Sequence, residues 1–319
     1  MGTYLIRRAA TSVIILFGIS VLAFYMLHVI GGPPGRVVLG LRAPVASVAA
    51  WNKSHGFDRA LPLQYLSYMN QLFHGNLGQS YKLNESVDDV LAQHAPISAY
   101  LSGLGLFFAL LIAFPLGIFQ AVRRNSLGDN VITAAAFITY STPVFLLGLL
   151  LIQVFAITLP IFPVGANAAV SQDSSLWGAI SDPRAMVLPV ATLTMVSVAS
   201  YSRFMRSSAL DALAQDYIKA ARAKGLPERL VLIRHLLRNA SLPMVTLIGL
   251  SIPLLLAGNL ITEAVFNYPG LGIMFIDALQ AEDYPVLLAY TLMGGVLTVV
   301  GNYVADVALT VADPRIRLA

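Results

Sequence analysis

Six long stretches of this sequence contain no Asp, Glu, Lys or Arg: Ala9–Ile30, Ala95–Val122, the first part of Val131–Gln172, Ala185–Ser202, Asn239–Thr262 and Tyr284–Ala305. A helix crosses the hydrocarbon core of a bilayer with about 20 apolar residues, so each stretch reads as a candidate membrane span. The third run is too long for one crossing, and Pro160, Pro163 and Gly165 are expected to end it near Leu159. The fourth is the shortest and also fits a buried or re-entrant helix. The rest of the chain cannot dilute these stretches into a soluble protein. Charged residues make up 11% of the whole and hydrophobic ones 57%, against about 25% charged in ordinary globular chains. Such a chain folded in water would expose large apolar patches.

The basic residues orient the spans, because Lys and Arg favour the cytoplasmic side. One face collects 14 of the 20, eight of them between Arg203 and Arg238, and both termini then face the cytoplasm. This bias accounts for the +4 net charge without nucleic acid. Arg7-Arg8 reads as a topology anchor, and the first apolar run, longer than a signal-peptide core and lacking a small-residue cleavage site, reads as an uncleaved span. There is no cysteine, and the five histidines are scattered with no H-x-x-x-H pair, so no metal centre is expected.

Two segments between spans have character of their own. Gly31–His94 opens on Gly31-Gly32-Pro33-Pro34-Gly35 and carries Trp51, Phe57, Tyr65, Tyr68 and Phe73, enough apolar surface for a small external cap. Near its end Ser86 precedes Asp88 and Asp89, the pattern of a helix N-terminus. A short amphipathic helix on the outer membrane surface, or a loop helix packed on the cap, is expected there. The basic segment Arg206–Lys224 is rich in helix formers. Gly225 stands where a helix C-terminal glycine belongs, Pro227 can open a second helix, and Leu230, Ile233 and Leu237 keep an apolar stripe on it. The expected product is a helix–glycine–helix hairpin with Leu226 exposed at its tip, suited to insertion into a groove on a partner. A lipid-anchoring surface hairpin and a DNA-reading helix-turn-helix are the competing readings, the latter opposed by the flanking spans.

No G-x-x-x-x-G-K-[ST] occurs, so the chain is not expected to cradle ATP phosphates. The spans also lack the mid-membrane charges by which ion-coupled transporters usually work, although Na⁺ can be bound by backbone carbonyls of broken helices. Polar residues recur on two faces, Thr194, Ser197 and Tyr201 on the fourth span and Thr246, Gly249 and Pro253 on the fifth. These are expected to line a cavity or, alternatively, to bond helix to helix.

Asp216-Tyr217-Ile218-Lys219-Ala220-Ala221-Arg222-Ala223-Lys224-Gly225-Leu226 resembles the EAA loop of ABC importer permeases, with Lys219 where that family's name has Glu. Leu61-Pro62-Leu63-Gln64-Tyr65, Gly75-Asn76-Leu77-Gly78-Gln79-Ser80, Glu263-x-Val265-Phe266-x-x-Pro269-Gly270-Leu271-Gly272 and Asp313-Pro314-Arg315-Ile316-Arg317 resemble the dipeptide/oligopeptide permease B branch. Nickel and glutathione permeases share these stretches. The resemblance implies an all-α integral membrane protein of six transmembrane helices with the type I ABC importer permease fold and a helical insertion after the first span. The expected divisions are 1–30, 31–94, 95–309 with the coupling loop 206–238, and a tail 310–319. It implies a multi-pass permease of the plasma (inner) membrane that imports peptides and is not itself an enzyme. Its expected partners are a homologous second permease, two ATP-binding subunits that hold the ATP and Mg²⁺, an extracytoplasmic solute-binding protein and the bilayer. It further implies that Lys219, Ala220, Ala221, Gly225, Leu226 and Glu228 couple to the ATPase, and that Glu263, Phe266, Tyr268, Pro269 and Gly270 lie on a loop contacting the binding protein.

Overall fold

A computed structural model describes residues 2–40, 42–166 and 176–312, with side chains described throughout these except at 2–7, 250, 252–257 and 305–312. Among the described residues the regular structure is helical, apart from one isolated bridge between Gln79 and Ser86. Helix α1 (Gly2–Met26) widens into a π turn at Leu27–Gly31. The insertion follows as α2 (Gly35–Leu39), α3 (Val45–Ser54) and α4 (Leu61–Phe73). Then come α5 (Val87–Val122), α6 (Leu127–Ser141), α7 (Val144–Ile152) with π turns to Thr158, α8 (Leu176–Ser181) and α9 (Pro183–Leu213). The short α10 (Asp216–Ala223) pairs with α11, which starts at Glu228–Leu230, widens over Val231–Leu237 and closes at Arg238–Ala240. Helices α12 (Leu242–Ala257), α13 (Leu260–Val265), α14 (Leu271–Gln280) and α15 (Tyr284–Ala312) complete the chain.

Four helical stretches, Arg8–Gly31, Val87–Val122, Pro183–Leu213 and Tyr284–Val304, are each long and apolar enough to cross a membrane. The expected third span does stop at Thr158, but it is not straight. Its halves meet at 104° across Thr142-Pro143, because a residue before proline is driven out of helical geometry and Thr142 is extended (ψ 125°). The expected fifth span is the 16-residue α12, which stops at Gly258 rather than Thr262. The expected amphipathic helix near Ser86 is not separate. Ser86 does cap a helix, accepting from the Asp89 amide at 3.4 Å, but that helix runs unbroken through Pro96 as α5. At 36 residues α5 is about 54 Å long and overshoots a hydrocarbon core of about 30 Å.

Helix α9 lies along α5, α12 along α15, and α1 on α15. Each end of the bundle has its own core. At the insertion end Val87, Val90 and Leu91 meet Leu271, Met274, Tyr284 and Leu287. The insertion is held to the same end by Asp283, whose carboxylate accepts from the Ser80 hydroxyl and the amides of Tyr81 and Lys82. Of the aromatics expected to fill the cap, Tyr65 is buried against Phe24 and Leu288, whereas Phe73 is 80% exposed.

At the opposite end Asp129, 2% exposed at its side chain, accepts both fork hydrogens of Arg206, from Nε at 2.9 Å and Nη2 at 2.8 Å. It also accepts from Gln120 Nε2 at 3.3 Å and the Asn125 amide at 2.9 Å. One carboxylate thus joins α5, α6 and α9. Asp129→Asn should destabilise the protein by about 2–3 kcal/mol, less than a wholly buried pair would cost because Arg206 keeps 27% of its side-chain surface. Unfolding in detergent measures this, and adding Arg206→Met should recover part of the loss.

Candidate functional site

The hairpin α10–α11 is shaped by its own backbone. Gly225 has φ +74°, the left-handed region that L side chains occupy only at a cost. Its amide donates to the Arg222 carbonyl at 2.9 Å, and the Leu226 amide donates to the Ala221 carbonyl at 3.4 Å. That pair of bonds is a Schellman motif, which satisfies carbonyls left over at the end of α10. Across the turn Arg222 grips Glu228 with two bonds, Nε to Oε2 at 3.1 Å and Nη2 to Oε1 at 2.6 Å. The guanidinium holds the Glu228 carboxyl below its usual range, chiefly through its hydrogen bonds, with partial burial opposing and the charge of Arg222 adding a smaller share.

Ile218 and Ala221 of α10 are buried against Met205 and Ala209 of α9, Val231 and Leu236 of α11, and Met244 of α12. The hairpin is therefore packed onto two long helices. The expected single helix through Arg206–Lys224 breaks at Ala214-Gln215, which lets both pieces turn apolar residues into one cluster. Leu226 is not the exposed tip that was expected. It is half-buried on this cluster, as the residue after a Schellman glycine commonly is. The inward stripe of α11 is centred on Val231 and Leu236; of the expected stripe Leu237 packs against the same core, whereas Leu230 and Ile233 are exposed, because π turns bring residues five apart onto one face. What α10 presents outward is Lys219 (bonded to Asp216 at 2.9 Å), Ala220 and Tyr217, with Gly225 and Glu228 exposed beside them.

The polar faces proposed for a cavity divide. Thr194 donates to the Gly105 carbonyl at 3.3 Å and Tyr201 bonds Ser251 at 2.6 Å, so both link helices to each other. Ser197 and Thr246 are half-buried with no such bond, and Gly249 is buried. The Pro253 side chain and Asp313–Arg317 lie outside the described residues.

The segment after α12 departs furthest from expectation. Glu263, Phe266, Tyr268, Pro269 and Gly270 are all buried, and Ala264 and Asn267 are the exposed positions between them. None of the five offers a surface to a binding protein here. Glu263 turns inward because backbone donors converge on it. Its Oε1 accepts from Ser98 Oγ at 2.7 Å and the Asn259 amide at 3.0 Å, and its Oε2 from the Gly272 amide at 2.7 Å. Ser98 in turn accepts from the Leu271 amide at 2.7 Å. A Cβ at position 270 would collide with both Glu263 and Ser98, so the P-G-L-G run reads as the wall of this cage. The sequence carries no cue for Ser98 or for the Asp129–Arg206 pair, beyond the capping pattern Ser126-x-x-Asp129.

Residues 113–318 match the family model described as binding-protein-dependent transport system inner membrane component, and residues 1–102 match its N-terminal membrane-component counterpart. The chain is 35% identical to the oligopeptide transport system permease protein AppB of Bacillus subtilis (strain 168), over 99% of this chain and all of that one. It is also 35% identical to the glutathione transport system permease protein GsiC of Escherichia coli O6:H1, over 99% of each. Among solved structures, the MetNI methionine ABC transporter in inward-facing conformations aligns with a TM-score of 0.51. At 18% identity, over 70% of this chain and 96% of that one, it shows a shared fold.

Two outcomes test these sites. Glu263→Gln places an amide NH₂ where one oxygen accepted, leaves a buried donor unsatisfied, and should cost about 1–3 kcal/mol in detergent unfolding; an unchanged midpoint would rule the cage out as a stabilising element. The Arg222–Glu228 clamp depends on pH. A depressed carboxyl pKa contributes stability above the ordinary value of 4.5 and loses it as pH falls through the lowered one. Both groups are about half exposed, so the effect is at most about 0.5 kcal/mol. Amide exchange at Gly225 and Leu226 should be about twofold slower than in Glu228→Gln near neutrality and should converge with it in acid.

Proposed function

The chain belongs to the family of binding-protein-dependent transport system inner membrane components, and from that premise we propose that it is one permease of a pair in an ATP-driven importer of peptides. Oligopeptides and glutathione, itself a γ-linked tripeptide, are the cargoes named for its full-length relatives. Two ATP-binding subunits hold ATP and Mg²⁺, and an extracytoplasmic binding protein delivers the solute. Both termini and the hairpin face the cytoplasm, in keeping with the basic residues gathered there.

The observation that carries this reading is the α10–α11 hairpin, rigid by its own bonds yet sharing one core with α9 and α12. ATPase subunits closing on ATP push on the outer surface formed by Lys219, Ala220, Gly225 and Glu228. Ala221 and Leu226 pass the displacement inward to the two long helices. Ser197 and Thr246 are free to meet the peptide's polar backbone where those helices part. The exchange between inward- and outward-facing arrangements is then a coupling between the ATP site and the solute path.

Proteoliposomes holding this chain, its second permease and the ATPases should accumulate labelled peptide only with ATP and the binding protein. ATP-independent uptake by this chain alone would refute the assignment. Gly225→Pro fixes φ near −65° and removes the amide bonded to Arg222. It should lower uptake and stimulated ATP hydrolysis about tenfold or more, with membrane insertion intact by protease protection.

A further inference from the structure

Between the end of α5 and α11 lies a groove of about 470 Å³. Its floor includes Phe119 and Val122 from α5 and Ile233 and Leu237 from α11, and Arg123 and Arg229 stand in its wall. The Arg123 guanidinium sits 5.3 Å from the centre of the Phe119 ring. Among the described residues no carboxylate pairs with Arg123 or Arg229, and the neighbouring Glu228 is held by Arg222. The floor does not end at the groove. Phe108, Leu111, Pro115, Phe119 and Val122 recur at helical spacing on the exposed face of α5, a helix long and apolar enough to span the membrane.

We infer that this groove binds one anionic phospholipid of the adjoining leaflet, its phosphate between Arg123 and Arg229 and an acyl chain along the α5 stripe. Two features select that occupant. The site is amphiphilic along one line, with two unneutralised cations at one end and an uninterrupted apolar track leading into the hydrocarbon from the other. A soluble ATPase segment could meet the cations but could not follow the track. The absence of a paired acid favours a net negative headgroup over a zwitterionic one. The inference rests on α5 being a membrane span and is independent of cargo and of ATP coupling.

Native mass spectrometry of the full chain, released from detergent with equal phosphatidylglycerol and phosphatidylcholine of matched acyl chains, tests it. The wild type should retain phosphatidylglycerol preferentially. Arg123→Gln or Arg229→Gln should each lower that preference about fivefold, and both together roughly 20-fold, with the double Lys variant retaining most of it. A photoactivatable phosphatidylglycerol, which needs no variant, should crosslink the wild type within residues 108–123 or 229–237. Equal retention of both lipids, an unaffected double Gln variant, crosslinks confined elsewhere, or displacement of the lipid when ATPase subunits are added would each overturn the proposal.

Discussion

Lipid offers no hydrogen bonds, so wherever a helix stops inside a membrane bundle its backbone must find partners within the protein. Glu263 answers that requirement for this chain. The interruption at Gly258 and the turn before α14 free the amides of Asn259, Leu271 and Gly272. One carboxylate and one hydroxyl, Ser98, receive all three. Helices α12, α13 and α14 can therefore break and turn without leaving buried donors unpaired. The same centre fixes the segment to α5, against which the insertion-end core is built.

Asp129 does the corresponding work at the hairpin end. It gathers the end of α5 and the turn after it, the start of α6 and the C-terminal third of α9 around one carboxylate. Unlike Glu263 it meets a full opposite charge, and the bidentate geometry gives the contact direction as well as attraction. Arg206 lies one residue from Met205, which belongs to the core that receives the hairpin. The core that receives the hairpin and the Asp129–Arg206 pair are thus neighbours on α9.

Hydropathy made the spans legible because burial in lipid is a bulk property, summed over some twenty residues and insensitive to any one of them. The glycine at 225 was legible for a different reason: a left-handed residue at a helix end has few substitutes. What stayed hidden depends on where a side chain points. Glu263 and Leu226 both turned inward, one toward amides freed by a helix break and toward Ser98, 165 residues from it in sequence, the other as the hydrophobic companion of a helix cap. The π turns of α11 rotated its buried stripe by changing the period on which any stripe is judged. Thr194 and Tyr201 showed that a polar residue in a span is as readily spent on a neighbouring helix as on a solute. The bend at Thr142-Pro143 was written in the sequence, but a long apolar run obscured it.

Helix α5 reaches both carboxylate centres, through Ser98 at one and Gln120 at the other, points about 33 Å apart along a continuous helix. A body anchored at two such points behaves as a lever arm. Tilting such a body about its middle would move its two ends in opposite senses. Its compliance is not uniform, because Pro96 and Pro115 each remove a rung from the hydrogen-bond ladder. Pro115 stands between the two anchors, close to the hairpin end, and is where such an arm would flex first under load.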